Sequence, residues 1–294
     1  MKGALISNLK MFYTIKSEKT FCDYKPIQVN IEPTNVCNLH CSFCPRDDLQ
    51  RPKGYMDIEI FKKIIDTNHR FLKESEIHLY VFGESTLHPK IGEMIRHLKK
   101  YGLVVQLNTN ATILNEERSR ILIESGLDKL YFSIDDETDK TQQSYETFMK
   151  VRGNRETPQA IAGFLEDSKE DIKLYSNADK IYWSPKHNFA GGINLDTMPD
   201  LRNSGLKKRG CYFPFYMLVV DWQGKVTVCC KDYNFRLTIG NAVTETLEAI
   251  WNGKRIQSLR KTFFNGNEPD ICTGCSDLYI PKFGIKNLMR QIVK

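Results

Sequence analysis

From residue 27 to residue 134 the chain alternates short β-branched runs with amphipathic stretches, a pattern that leaves little choice but parallel strands joined by helical crossovers. The first run is 27–31. After a loop, Asp57 is placed to cap a helix in which Phe61, Ile64, Ile65 and Phe71 recur at helical spacing. The run 77–82 follows and ends at Gly83. Pro89 suits the first turn of a second helix, Ile91, Met94, Ile95 and Leu98 form its apolar stripe, and Gly102 stops it. The run 103–107 comes next. A third helix has Asn115 as cap, Ile121 and Leu122 on its buried face and Gly126 as terminator, and leads to the run 130–134. From the second strand on, strand ends fall near residues 82, 108 and 134, one every 26 residues or so and close to the roughly 30 expected of a strand-helix unit.

Beyond Arg152-Gly153 the regularity weakens. Up to Cys211 the sequence predicts one helix over 156–170 and one strand over 180–184, space enough for about five strands rather than a full sixth unit. From about residue 205 the character changes. A hairpin is predicted over 216–221 and 225–228 with its turn at Gln223-Gly224, then a helix carrying Leu247, Ile250, Trp251 and Leu259. The fold class read from this is α/β: a truncated partial (β/α) barrel of about five or six parallel strands with a small C-terminal hairpin and helix domain. The expected divisions are an N-terminal extension over 1–24, the barrel over 25–204 and the C-terminal domain over 205–294.

The net charge of +6 is spread along the 294 residues, and the one basic run, 207–209, reads as solvated surface, so nucleic acid is not expected as a partner. No stretch reaches the roughly 18 apolar residues of a membrane span, and the N-terminal apolar segment is too short for a signal peptide. A cytoplasmic chain without membrane partners is expected. Nine cysteines are many for such a chain, and its size removes the need for a disulfide scaffold, so metal or cluster binding explains them better.

Cys37, Cys41 and Cys44 lie on the loop directly after the first strand. Three thiolates at this spacing can wrap one face of an iron-sulfur cube and leave its fourth iron open to a small ligand. The alternative is a zinc or closed cluster site, with His40 the nearest candidate for a fourth ligand. The run Cys37-x3-Cys41-x-Phe43-Cys44, placed after the first strand of a strand-helix series, resembles the signature of the radical S-adenosylmethionine superfamily. The resemblance extends to the next strand ends. Phe82-Gly83-Glu84-Ser85 is similar to the family's Gly-Gly-Glu-Pro, with Phe82 and Ser85 departing from it, and implies that Gly83 and Glu84 bind the methionyl ammonium. Asn108-Thr-Asn110 resembles the asparagine-bearing turn beside the cofactor, and Ser133-Ile-Asp135 the Ser-x-Asp element that meets the methionyl carboxylate or ribose. Phe43, Gly83, Glu84, Asn108, Ser133 and Asp135 are thus the implied cofactor-binding residues. They fall at the C-terminal ends of successive parallel strands, where such sheets place ligands.

Cys211, Cys229 or Cys230, Cys272 and Cys275 supply a second set of four thiolates, enough to close a 4Fe-4S cluster or, on chemistry alone, to hold zinc. The segment from Cys211 through Gly224, Cys229-Cys230, Gly240-Asn241 and Trp251-Asn252 to Cys272-x-x-Cys275 resembles the auxiliary-cluster domains called SPASM and twitch. The single set of four fits the twitch type, with Cys229 as the ligand and Cys230 as a surplus thiol that could donate a hydrogen atom to a substrate radical.

The resemblance implies two 4Fe-4S clusters, S-adenosylmethionine and a flavodoxin- or ferredoxin-type electron donor. In the family the open-iron cluster cleaves S-adenosylmethionine to a 5′-deoxyadenosyl radical that removes hydrogen from substrate. A closed auxiliary cluster then suits electron acceptance, and so an oxidoreductase. Within the twitch enzymes the architecture is most similar to aminocyclitol dehydrogenases, which makes a secondary alcohol of a sugar or aminocyclitol the expected substrate. Trp183, Lys186, His187 and Asn188 follow the last barrel strand and are expected to face the cavity, with His187 or Lys186 taking the hydroxyl proton. Arg152, in an Arg-Gly turn typical of the superfamily, is a third catalytic candidate. A maturase of ribosomally made peptides is the alternative within the family, and a non-catalytic iron-sulfur or zinc protein the alternative outside it.

Overall fold

The computed structural model describes residues 2–134, 139–166, 171–193 and 210–279. Asp57 caps the first predicted helix as the sequence requires: its carboxylate accepts from the backbone N–H of Glu59 and Ile60. Asn115 does the same for Arg118 at the third. The chain opens on α1 (Lys2–Lys16) and then alternates β1 (Gln28–Ile31), α2 (Ile58–Leu72), β2 (Glu76–Leu79), α3 (Ile91–Lys100), β3 (Val104–Thr109), α4 (Glu116–Glu124), β4 (Lys129–Ser133), α5 (Asp139–Arg152), β5 (Gln159–Leu165) and β6 (Lys180–Ser184). The C-terminal part carries α6 (Phe213–Tyr216), β7 (Met217–Val220), β8 (Lys225–Thr227), β9 (Gly240–Asn241), α7 (Leu247–Trp251), α8 (Lys254–Phe264) and α9 (Ser276–Tyr279).

All nine strands form one sheet in the order β6-β5-β4-β3-β2-β1-β7-β8-β9. Strands β1 to β6 are parallel, each bonded to its predecessor, which is the partial (β/α) barrel expected. The barrel has six strands. In the described part of the helix predicted over 156–170, residues 156–166, the chain instead forms β5, and α5 precedes it. The cause is burial on both faces: Ala160 to Phe164 are all buried or nearly so, and a run that is apolar throughout carries no period to separate strand from helix. The single helix predicted through Leu247 to Leu259 is two, α7 and α8, parted at Asn252-Gly253.

Strand β7 adds to β1 in parallel, with Gln28 opposite Met217 and Ile31 opposite Val220, and β8 and β9 extend the sheet antiparallel. The predicted hairpin is β7–β8, turning at Gly224. The core lies between the sheet and the helices: Phe61, Ile64 and Ile65 of α2, Met94, Ile95 and Leu98 of α3, and Phe132, Tyr145, Phe148 and Phe164 around α5 are fully buried. Odd positions of the early strands (Val29, Ile77, Leu79, Val105, Leu107) face this core, so the even positions face the inside of the barrel. That leaves a polar inner wall of Gln28, Asn30, His78, Tyr80, Gln106 and Asn108. None of the described helices is long and apolar enough to cross a membrane.

Candidate active site

The loop from β1 to α2 brings Cys37, Cys41 and Cys44 to one cavity of about 300 Å³ at the C-terminal end of the sheet, shared with Phe43, Gly83, Glu84, Asn108 and Ser133. Buried Arg46 shapes the loop from beneath, donating to the carbonyls of Cys37 (3.0 Å) and Leu39. The Cys37 sulfur receives the backbone N–H of Leu39 (3.5 Å) and the Asn110 side-chain amide (3.9 Å). Burial pushes the Cys44 thiol up. His40 is not drawn in: it pairs with Asp47 at 3.0 Å, its side chain 70% exposed, so the zinc alternative loses its nearest fourth ligand.

Gly83 is required by close approach. Its φ is +85°, and a Cβ there would lie 2.6 Å from the Thr34 carbonyl oxygen, so the end of β2 rests directly on the chain entering the cysteine loop. Glu84 is fully occupied by protein. One oxygen accepts from the Thr86 N–H (3.0 Å), the Thr86 hydroxyl (2.5 Å) and the Thr109 hydroxyl (2.8 Å); the other accepts from the Asn110 N–H (2.7 Å). It ties the ends of β2 and β3 together beside the cavity, with every oxygen contact given to the protein's own donors. Burial raises its pKa, against these donors. Asp135 lies outside the described residues.

A larger cavity of about 610 Å³ fills the concave side of the sheet. Its wall includes His78, Tyr80, Asn108, Tyr131, Ser133 and Lys180. Lys186 and His187 line it as expected; Trp183 and Asn188 do not. Trp183 stacks on Phe164 (ring centroids 5.1 Å apart) on the core side of β6, because the inner positions of that strand are Lys180, Tyr182 and Ser184. Asn188 is buried against the C-terminal part. Arg152 lines neither cavity: its guanidinium is paired with Asp179 and bonded to the Pro158 carbonyl, locking the end of α5 to the strands beside it.

Two residues that support the site escaped sequence reasoning. Buried Glu32, directly after β1, takes Arg51 in a two-pronged pair (2.5 and 2.6 Å) and also accepts the Phe82 N–H (3.2 Å). Arg51 donates in turn to the Tyr233 carbonyl (2.7 Å), so one ion pair joins β1, the end of β2, the cysteine loop and the C-terminal part. The inner wall itself was legible in one respect, since His78 and Tyr80 alternate with Ile77 and Leu79.

Cys211, Cys229, Cys272 and Cys275 line a separate, narrow cavity with Phe213, Val228, Phe263 and Leu278. Cys229, not Cys230, turns into it; Cys230 lines the two cavities of the barrel. Burial holds Cys211 and Cys229 well above the ordinary thiol range and Cys272 at about 12, and in each case neighbouring thiols push further upward. Crowded, partly buried thiols whose ionisation is opposed become thiolates only beside strong positive charge, which is what an iron-sulfur cluster provides. The donor set fits such a group. Among the described residues no three His, Cys, Asp or Glu side chains converge tightly enough for a single metal ion.

The family models match this layout. Residues 31–176 match the radical SAM superfamily model, and residues 211–276 match that of an iron-sulfur cluster-binding domain. The chain belongs to the radical S-adenosylmethionine superfamily, with a SPASM domain. It is a radical S-adenosylmethionine enzyme, and its two domains indicate 4Fe-4S clusters and S-adenosylmethionine as cofactors. It is 23% identical over 257 residues to the S-adenosyl-L-methionine-dependent 2-deoxy-scyllo-inosamine dehydrogenase of Niallia circulans, covering 86% of this chain and 93% of that one. A 105-residue stretch, 36% of the chain, is 37% identical to a tungsten-containing aldehyde ferredoxin oxidoreductase cofactor-modifying protein of Pyrococcus furiosus, but spans only 30% of that protein. In fold it is similar to BtrN in complex with AdoMet and 2-DOIA (TM-score 0.66, 20% identity, 87% of this chain and 95% of that one). It is also similar to Streptococcus suis SuiB bound to precursor peptide SuiA (TM-score 0.63, 13% identity, 92% and 74%).

Proposed function

We propose that this enzyme oxidises a secondary alcohol of a sugar or aminocyclitol to a ketone. When bound, the Cys37–Cys41–Cys44 cluster with S-adenosylmethionine supplies a 5′-deoxyadenosyl radical that takes one hydrogen atom, and a second cluster on Cys211, Cys229, Cys272 and Cys275 supplies the electron acceptor. The protein's own residues do the rest. Gly83, the Glu84-braced strand ends, Asn108 and Ser133 form the floor for the cofactor. His78, Tyr80, Tyr131 and Lys180 offer hydroxyl, imidazole and ammonium groups to a hydroxyl-rich substrate, and Lys186 or His187 receives the alcohol proton. The substrate thus loses one hydrogen atom, one proton and one electron, which together make the ketone.

The observation that supports this reading best is the split of Cys229 and Cys230: a four-thiol cavity abuts the substrate cavity across one peptide bond. The similarity to the inosamine dehydrogenase over most of both chains agrees with it. A flavodoxin- or ferredoxin-type protein is proposed as the reductant. The experiment is anaerobic reconstitution with iron and sulfide, then incubation with dithionite, S-adenosylmethionine and 2-deoxy-scyllo-inosamine or neutral cyclitols. About eight irons per chain and ketone in step with 5′-deoxyadenosine are expected; 5′-deoxyadenosine with unoxidised cyclitol in every case would refute the dehydrogenase reading.

The peptide-maturase reading has one observation in its favour. Among the described strands β6 is an outer edge of the sheet, with Ile181, Tyr182 and Trp183 exposed, and an extended peptide can add to such an edge. Crosslinking or epimerisation of a precursor peptide in the same assay would establish it.

A further inference from the structure

Phe189, Ala190 and Gly191 are consecutive residues with φ of 45°, 60° and 79°. Left-handed backbone is costly for the first two, and persists only where its surroundings over-determine it. Asn188 is what does so here. Its side chain is fully buried; its oxygen accepts the N–H of Gly191 (3.1 Å) and of Ser276 (3.1 Å), and its amide donates to the Gly274 carbonyl (2.7 Å). Two of the three bonds therefore end on the Cys272–Cys275 loop and the residue that follows it. Gly191 brings the two backbones together: a Cβ there would lie 3.0 Å from Gly274. Ala190 belongs to the same small apolar cluster as Cys275 and Leu278. On the other side of Asn188, Lys186, His187 and Phe189 line the substrate cavity, with the His187 and Phe189 rings 4.3 Å apart.

We infer that Asn188 is a positioning residue that sets one wall of the substrate cavity from the auxiliary-cluster loop. A buried amide satisfies all three bonds only when both segments are in place, and leaving it half-bonded is expensive in a dry interior. The two segments consequently order together. Loading the four cysteines then fixes Lys186, His187 and Phe189, so the cavity takes its working shape only in chains able to accept the substrate electron. The last step rests on the reading of those cysteines as cluster ligands; the tie itself does not.

Hydrogen-deuterium exchange of the full chain, read by mass spectrometry before and after reconstitution with iron and sulfide, tests both parts. In the wild type, reconstitution is expected to protect residues 271–278 and 186–192 together. In Asn188→Ala it is expected to protect 271–278 alone, and exchange over 186–192 is about tenfold faster than wild type with or without iron. Unchanged exchange over 186–192 in that variant would overturn the inference. If iron and sulfide protect neither segment of the wild type, the auxiliary-cluster reading falls, and with it the coupling to loading, while the iron-free comparison still decides the tie. Asn188→Asp keeps both acceptor bonds and loses the one to Gly274; should the alanine variant not fold by circular dichroism, a rise of about threefold is expected from the aspartate, and no rise overturns the tie.

Discussion

Cys229 and Cys230 are neighbours in sequence and face opposite ways: the first lines the four-thiol cavity, the second the cavities of the barrel. Strand β8 ends at Thr227, so the pair lies on the turn just beyond it, between the two sites. Lys231, immediately after, makes a buried ion pair with Asp277 and clamps this junction to the Cys272–Cys275 loop.

Removing Cys272 should separate radical generation from oxidation. In Cys272→Ala, iron is expected to fall from about eight to about four per chain. Reductive cleavage of S-adenosylmethionine continues and ketone disappears. Full ketone formation in this variant, measured by mass spectrometry, would refute the acceptor role.

Cys230→Ser distinguishes dehydrogenation from epimerisation. If the substrate loses its electron, the variant keeps product formation within about threefold, and in deuterated water no deuterium enters a substrate C–H position. If the thiol returns a hydrogen atom, the wild type labels the product from solvent and the serine variant makes none.

His187→Gln should lower ketone formation by about a hundredfold, the usual scale for loss of a proton acceptor, and leave cleavage without substrate intact. Equal loss of both activities would mean that the imidazole acts on the cofactor side.

Breaking the Glu32–Arg51 pair strands a buried carboxylate. Arg51→Met is expected to cost about 3–5 kcal/mol in chemical denaturation, the range for removing one partner of such a pair. A cost under about 1 kcal/mol would show that water reaches Glu32.

Glu76 gives a pH signature. Burial raises its pKa, but His78 (3.3 Å) and Lys129 (2.8 Å) outweigh burial and hold it at about 2, below the ordinary 4.5. A lowered carboxyl contributes stability that is complete above about 4.5 and lost as pH falls towards 2. Thermal unfolding of the iron-free chain should decline across that window, and Glu76→Gln should flatten the decline.

What the sequence makes legible follows from how local the physics is. The three-cysteine loop, the caps Asp57 and Asn115 and the first four strands depend on residues within one or two turns of each other, and they lie where the sequence predicts. Strand β5 was hidden because burial on both faces erases its period. Trp183 was misassigned for want of register: one residue along a strand exchanges the cavity face for the opposite one, where Trp183 stacks on Phe164 while staying partly exposed. Arg152, Asn188 and the Glu32–Arg51 pair take their roles from partners 19 to 88 residues away, which no spacing rule reaches.

The parallel pairing of β1 with β7 has a bearing on how the protein is made. Gln28 and Met217 are opposite one another, yet nearly the whole barrel is synthesised between them. While the ribosome is still building the barrel, the strand that delivers Cys37 has one bare edge, open to wrong partners, and the Glu32–Arg51 pair lacks its Tyr233 contact. Contacts of such sequence separation close late and slowly. Both cysteine sets therefore reach their finished surroundings only once β7 has joined the sheet.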